Sequence, residues 1–198
     1  MISDDGVNTS IPLNFSFSYC GASYTVASAN ANGWLSLANS SLGASPAYTN
    51  AAASLSSIAS GVGVLMPFWR DLYGGTTGGS ATAYYQTIGS TPNRVFVMEW
   101  RNYSTCCNIA NANMNFQIRL YETTNVIEFW YSTSSGTTPT TATIGITSST
   151  SIFQTLTSAV GTPNTSFNAS CSFPANGTMY RFTPCVTTVS GNTAPICI

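Results

Sequence analysis

The sequence predicts an all-β fold, an antiparallel β-sandwich of jelly-roll type that is supported by disulfides. Short stretches of alternating apolar and polar residues recur along the chain, and no convincing helical period interrupts them. Glycine, proline, serine and asparagine separate these stretches, as they separate strands that are joined by turns. Six cysteines offer candidate cross-links. Many short strands at this spacing favour a sandwich or a jelly roll.

The clearest strand signal lies near the N-terminus. Residues 11–19 alternate apolar and polar side chains, which predicts a half-buried strand. Asn32-Gly33 indicates a turn before the next short apolar stretch. Residues 46–60 are rich in alanine and serine, and we expect a short helix or a loop there.

Residues 62–69 are mostly apolar but contain Gly63 and Pro67. Because proline cannot donate a hydrogen bond to a neighbouring strand, this pattern predicts an edge strand or a bent segment rather than a flat central strand.

Three strands in the middle of the chain are the best defined. Residues 94–103 place Glu99 and Arg101 on one face and apolar side chains on the other. Residues 115–121 and 126–130 form a predicted hairpin that pairs Tyr121 with Val126 and so sets Arg119 opposite Glu128. We expect these opposite charges to form an ion pair. Further strands are predicted at residues 143–147 and 179–182.

The composition points outside the cell. Only 6% of the residues are charged, the net charge is −1, and the chain has no histidine and no lysine. Most side chains that do acid–base or metal chemistry near neutral pH are therefore missing. We expect no nucleic-acid partner and no membrane insertion, because phosphate neutralisation needs cations and no apolar run approaches the roughly 18 residues of a span. Residues 1–5 do not resemble a signal peptide, so we expect an export signal to lie upstream or to have been removed.

The cysteines favour disulfides over a zinc site. They lack CxxC spacing, and zinc sites of this kind commonly include histidine. A local bridge between Cys185 and Cys197 is attractive, whereas adjacent Cys106 and Cys107 point to opposite faces of a strand and suit separate partners such as Cys20 and Cys171. Fifteen pairings of six cysteines are possible, and the sequence does not choose among them. The candidates are Cys20, Cys106, Cys107, Cys171, Cys185 and Cys197.

Four sequence blocks follow one another along the chain: Asn32-Gly33-Trp34-Leu35, Met66-Pro67-Phe68-Trp69-Arg70-Asp71-Leu72, Val97-Met98-Glu99-Trp100-Arg101-Asn102 and Asn115-Phe116-Gln117-Ile118-Arg119-Leu120-Tyr121-Glu122. Together they resemble a β-sandwich module that is repeated in large secreted surface proteins and adhesins of bacteria. The resemblance covers about residues 4–183 and extends more distantly to the extracellular nidogen-type domain. It implies adhesion or spacing at the cell surface and no catalytic residues.

The ends of the chain suggest a way to assemble. The resembled module begins with a strand upstream of Ile2, and a sandwich short of an edge strand exposes unpaired backbone. We divide the chain into a sandwich domain, 1–184, and a linker or exchanged strand, 185–198. The uncharged segment Val186, Thr187, Thr188 and Val189 could fill the edge of a neighbouring copy or module and so build a filament head to tail. The other interpretation is that the chain is a fragment of a longer one.

Catalysis finds little support in the sequence. Asp71, Glu99 and Glu128 stand beside tryptophans, and paired carboxylates of this kind would suit a glycosidase. Each acid has a basic neighbour or a turn role instead, and serine nucleophiles lack an evident base. We therefore expect no enzyme and name no catalytic residue.

Sugar binding by a lectin-like module is the main alternative function. Its candidate contacts with surface glycans are exposed aromatic residues, although core packing is the alternative role for each of them. These residues are Tyr84, Tyr85, Tyr103, Tyr121 and Tyr131. No cofactor is expected. Calcium would have to use Asp4 with Asp5, or Asp71 with loop carbonyls, and the spacing is not that of an EF-hand.

Seven N-glycosylation sequons are also present, and a chain rich in asparagine, serine and threonine produces many by chance. They begin at Asn8, Asn14, Asn39, Asn102, Asn164, Asn168 and Asn176.

Overall fold

A computed structural model describes residues 4–37, 47–58, 63–74, 81–106, 114–132, 139–157, 163–164 and 166–184. Thirteen strands and one short 3-10 helix, Ala52–Ser57, lie in this part of the chain. The strands are β1 Val7–Tyr19, β2 Ala22–Asn30, β3 Trp34–Ser36, β4 Val64–Trp69, β5 Leu72–Tyr73, β6 Thr82–Ile88, β7 Val95–Thr105, β8 Met114–Tyr121, β9 Ile127–Tyr131, β10 Thr143–Thr147, β11 Phe153–Leu156, β12 Pro163–Asn164 and β13 Met179–Phe182. No described helix is long and apolar enough to cross a membrane.

The strands form two antiparallel sheets, as predicted for a β-sandwich. The seven-stranded sheet has the order β1-β2-β3-β4-β10-β11-β12. The six-stranded sheet has the order β13-β9-β8-β7-β5, and β6 also pairs with β7. The predicted hairpin register is confirmed, since Leu120 pairs with Ile127 and Arg119 pairs with Glu128.

The main core lies between the sheets and is rich in aromatic rings. Trp100 and Phe116 stack with centroids 5.1 Å apart at an angle of 15°. The polar atoms of the buried aromatic side chains have hydrogen-bond partners across the core. Trp100 Nε1 donates to Asn30 O at 2.8 Å, and Tyr131 Oη donates to Pro67 O at 2.6 Å. Burying a large apolar side chain contributes on the order of 1.5–3 kcal/mol, so this layer provides much of the drive to fold.

A second apolar cluster covers the outer side of the seven-stranded sheet. It packs the 3-10 helix against β3 and β4, and both Trp34 Nε1 and Trp69 Nε1 donate to Ala47 O, at 3.3 and 3.1 Å. The buried members are Trp34, Leu55, Ile58, Val64, Met66 and Trp69. The outer face of this sheet is therefore closed to solvent along β3 and β4.

The prediction of an edge strand at residues 62–69 is wrong. β4 is buried along its whole length and lies between β3 and β10. The register of β4 with β10 shifts between the pairs Trp69–Thr143 and Met66–Gly145, so Pro67 lies at an irregularity where its missing donor is tolerated. The bend was anticipated, but the central position was not.

Gly33 closes the turn between β2 and β3 and fits no larger residue. Its φ is +76°, and an added Cβ would lie 2.2 Å from Phe68 O. Gly21, between β1 and β2, has a similar φ of +78° but no atom within 4 Å of an added Cβ. A comparison of alanine substitutions at the two glycines therefore separates two free-energy costs: that of a left-handed backbone with a side chain, and that of the contact with Phe68.

We predict that Gly33→Ala destabilises the fold more than Gly21→Ala does. Each substitution carries the left-handed backbone cost of about 1–2 kcal/mol, and only Gly33→Ala adds the clash. The check is the free energy of unfolding from urea titrations. Equal losses in the two variants would contradict the contact as the cause.

Candidate functional site

The outer face of the six-stranded sheet carries polar and aromatic side chains in a fixed register. Along β7 and β8 buried residues alternate with partly exposed ones until the bulge in β7. Pairing places Glu99 of β7 beside Gln117 of β8, and Gln117 beside Trp130 of β9. Side chains from three neighbouring strands therefore meet on this face.

A series of side-chain contacts joins these strands. Gln117 Nε2 donates to Glu99 Oε1 at 2.9 Å, and Gln117 Oε1 accepts from Arg119 Nε and Nη2 at 3.2 and 3.0 Å. The Arg119 guanidinium lies over the Trp130 ring, 4.6 Å from its centroid, which is a cation–π contact. We call Glu99, Gln117, Arg119 and Trp130 the outer ladder. Because both ends of the Gln117 amide are engaged, its neighbours on either side are held in place.

Glu128 lies on this same face, opposite Arg119, and its carboxylate is covered by neighbouring side chains so that 3% of its surface is exposed. Its Oε2 accepts from Tyr121 Oη at 2.7 Å and from Trp130 Nε1 at 2.8 Å, and its Oε1 accepts from Arg181 Nη1 at 2.6 Å. Burial alone would raise the pKa of Glu128, but these three donors outweigh it and hold the pKa below its ordinary value. The carboxylate thus stays ionised and organises its neighbours.

The ion pair predicted between Arg119 and Glu128 does not form, although the two residues are opposite each other as expected. Arg181 of β13 takes the carboxylate, while Arg119 turns to Gln117 and Trp130. The predicted proximity of Glu99 and Arg101 is confirmed, at 3.4 Å between Oε2 and Nη2. This pair is exposed at the arginine, so its contribution to stability is at most about 1 kcal/mol.

A pocket of about 360 Å³ lies over β6, β7 and β8. Its size is near the lower end of the roughly 300–1,000 Å³ of ligand sites, which suits a small ligand. Amide, carboxylate, guanidinium and phenol groups surround a few aliphatic side chains. The lining residues are Tyr84, Tyr85, Gln86, Ile88, Val95, Val97, Glu99, Gln117, Arg119 and Tyr121.

Three of the five predicted glycan-contact tyrosines line this pocket. Tyr84 is 51% exposed and Tyr85 is 46% exposed, and Tyr121 is partly buried. Tyr103 and Tyr131 are buried in the main core, so they do not contact a surface ligand and the prediction is wrong for them.

The two errors have different causes. Tyr131 follows the buried alternation of Ile127 and Phe129 in β9, a signal that the hairpin pattern already contained. Tyr103 shares the parity of Glu99, but a register shift after Trp100 reverses the faces of β7, and Asn102 there has a φ of +60°. No sequence signal marked this bulge.

Besides the aliphatic part of the lining, sequence reasoning missed four residues of the site. Gln86, Gln117 and Arg119 line the pocket, and Trp130 supports Arg119 from below. The sequence does contain a signal for Gln117, Arg119 and Trp130, because the predicted hairpin register puts all three on one outward face.

The NIDO-related family model matches residues 1–184 of the chain. The chain belongs to the NIDO-related family. Nidogen-type resemblance was expected from the sequence blocks, and it holds at the level of this family. No curated protein and no solved structure matches the chain.

The cysteines of this NIDO-related chain differ from the pattern of pairing we expected. Cys171 carries a free thiol, so the suggestion that it pairs with Cys106 or Cys107 is wrong. The buried Cys171 instead donates to Leu156 O at 3.1 Å, and burial raises its pKa. Cys106 is disulfide-bonded.

The cysteines at 107, 185 and 197 lie outside the described residues, as does the proposed exchange segment, Val186, Thr187, Thr188 and Val189.

An acidic group forms where β5 begins. Oxygens of Asp4 and Asp71 and the sulfur of Cys106 lie within 4.8 Å of one another. Burial, and then the neighbouring carboxylates, raise the pKa of Asp71. A disulfide sulfur carries no proton and is no thiolate, so the 3.9 Å approach of Cys106 Sγ to Asp4 Oδ2 is a van der Waals contact and only two carboxylates remain as ligands. The expectation of no cofactor, with calcium as the alternative at these acids, stays a prediction.

Asp71 is not brought close to Glu99, so these two carboxylates do not form a glycosidase pair. Asp71 precedes Leu72, which pairs with Thr105, six residues after Glu99 on β7. At about 3.3 Å per residue this is roughly 20 Å along the strand, beyond the separation of a catalytic pair. Trp69 and Trp100 are buried in the two apolar clusters.

The sequons differ in their surroundings. Asn8, Asn14 and Asn176 are exposed, and Asn102 is half-buried. Asn168 Nδ2 donates to Leu156 O at 2.6 Å, so this amide is engaged in the fold. Asn39 lies outside the described residues, as does the side chain of Asn164.

We predict that Glu128→Gln destabilises the protein at pH 7 by about 1–3 kcal/mol, the cost of weakening a buried hydrogen-bonded charge. Because the folded-state pKa of Glu128 is below its ordinary value of 4.5, its contribution is present above that pH and is lost as the pH falls through the folded pKa. The difference in unfolding free energy between wild type and variant should shrink between pH 7 and pH 3. A difference that stays constant over this range would contradict the role of the charge.

Proposed function

We propose that the chain is an extracellular adhesive unit of a cell-surface protein and that it binds surface glycans through the outer face of its six-stranded sheet. The observation that carries the proposal is the pocket over the outer ladder, where fixed polar groups surround an exposed tyrosine. Membership of the NIDO-related family supports an extracellular role, and the low charge of the chain is consistent with it.

The outer faces of the two sheets differ in how far they are covered, and this difference supports the choice of the six-stranded sheet as the binding surface. The apolar cluster under the 3-10 helix covers the outer side of β3 and β4, whereas β6, β7 and β8 leave a pocket open at their outer side. The side chains of the open face are already held by one another, so a ligand would need to immobilise few of them. Such preorganisation lowers the entropic cost of binding.

The chemistry of the face favours binding over catalysis. A general acid needs a raised pKa, and the pKa of the Glu128 carboxyl is lowered. Glu99 is held by Gln117 and Arg101. We therefore propose a binding module without enzymatic activity.

The disulfide at Cys106 is consistent with a protein in an oxidising environment. Cys106 is disulfide-bonded, and structural disulfides persist mainly outside the cytoplasm. We propose that disulfides support the sandwich in this way.

Filament formation by strand sharing is a second proposal, and one edge favours it. β6 is a seven-residue edge strand with no charge and no proline, features that leave an edge unprotected. β1 is a poorer acceptor, because its register shifts twice and side chains bind its backbone: Thr87 Oγ1 donates to Leu13 O at 2.8 Å, and Ser18 N donates to Asn125 Oδ1 at 2.8 Å. A strand donated by a neighbouring copy would therefore pair with β6.

We predict that Tyr84→Ala weakens binding to glycan-coated surfaces at least about tenfold, a loss of about 1.4 kcal/mol, because it removes the exposed ring at the pocket. Tyr48→Ala is the matched control, since Tyr48 is equally exposed, at 51%, and does not line the pocket. Binding is measured on a glycan array and confirmed by surface plasmon resonance. Equal losses in both variants, or none in either, would count against this face.

A further inference from the structure

We infer that the pocket takes a saccharide bearing a carboxylate, such as a uronic or sialic acid residue, with the carboxylate on Arg119. The inference rests on the proposed function and specifies the ligand of the same site. It follows from the charge balance of the face and from the way in which Arg119 is held.

Arg119 is the cation of this face that no carboxylate neutralises. Among the described residues, Arg101 pairs with Glu99 at 3.4 Å and Arg181 pairs with Glu128 at 2.6 Å. No salt bridge within that part of the chain includes Arg119, whose hydrogen-bond partners are the neutral side chains of Gln117 and Tyr121. A positive charge is thus left at the pocket for a ligand of opposite charge.

The guanidinium is also oriented in advance. Two of its five N–H groups donate to Gln117 Oε1, and its Cζ atom lies over the Trp130 ring, 4.6 Å from the ring centroid. Donors remain beyond those two bonds. A planar guanidinium matches the two oxygens of a carboxylate better than a point charge does.

The rest of the lining suits a sugar ring rather than a peptide. Gln86 and Glu99 offer the amide and carboxylate groups that bind hydroxyls, and the half-exposed ring of Tyr84 offers an apolar face. One side of that ring holds the Arg101 guanidinium at 5.6 Å, which fixes its position.

The test compares sugars that differ only in the acid group. Methyl β-glucuronide and methyl β-glucoside are titrated into the intact protein at low salt by calorimetry, together with a short acetylated peptide that has a free carboxylate. We expect the glucuronide to bind at least tenfold more tightly than the glucoside and the peptide. The preference should decrease with added salt, because exposed charges are screened.

Variants identify the group responsible. Arg119→Gln should abolish the preference for the acid while leaving weak binding of both sugars, and Arg119→Lys should restore only part of it. Arg70→Gln removes the same charge from a residue that does not line the pocket, and it should leave the preference intact. Thermal unfolding confirms that each variant is folded.

The remaining outcomes distinguish failure of the acidic ligand from failure of the glycan-binding face. Equal binding of both sugars that still depends on Tyr84 would overturn the acidic ligand but keep the glycan-binding face. Tighter binding of the peptide than of either sugar, or no binding of any probe, would overturn the proposed function at this site as well.

Discussion

The register of β7, β8 and β9 is the constraint on which the rest of the structure depends. Because Glu99 pairs with Gln117, the neighbouring pair Trp100 and Phe116 enters the core and stacks there. A slip of one residue would exchange the two faces, burying the outer ladder and exposing aromatic rings. Loss of several buried aromatic contacts would cost many times the energy of any surface ion pair. The core therefore fixes the geometry of the surface that we propose to bind ligand.

Glu128 links that register to the chemistry of the surface. A buried carboxylate is costly unless donors surround it, and here Tyr121, Trp130 and Arg181 supply them. The arrangement holds Trp130 where it supports Arg119, and it leaves Arg119 without a carboxylate of its own. Glu128 therefore has two effects on this face. It holds Trp130 in place, and because it pairs with Arg181 it leaves Arg119 without a salt bridge among the described residues. Rigid, incompletely neutralised groups are what a preorganised binding site requires.

Local alternation and the hairpin pattern predicted the middle of the fold, including the pairing of Arg119 with Glu128. These patterns did not predict the contacts that depend on segments distant in the sequence. Arg181 reaches Glu128 from β13, 53 residues away in sequence, and the bulge at Asn102 turns Tyr103 into the core. The central position of β4 was hidden for a similar reason, since Pro67 is tolerated only because the partner strand shifts register there. Sequence periodicity reports which residues share a face, but not which strand supplies the partner.

The central claim is that the outer face of the six-stranded sheet binds the ligand, and the most direct test maps the contact by nuclear magnetic resonance. Backbone and tryptophan side-chain resonances of the labelled protein are followed while a surface polysaccharide extract is added. The account predicts shifts concentrated at Tyr84, Val97, Gln117 and Arg119 and at the indole N–H of Trp130. Shifts concentrated around Trp34 and Trp69 on the other sheet, or none at saturating polysaccharide, would contradict it.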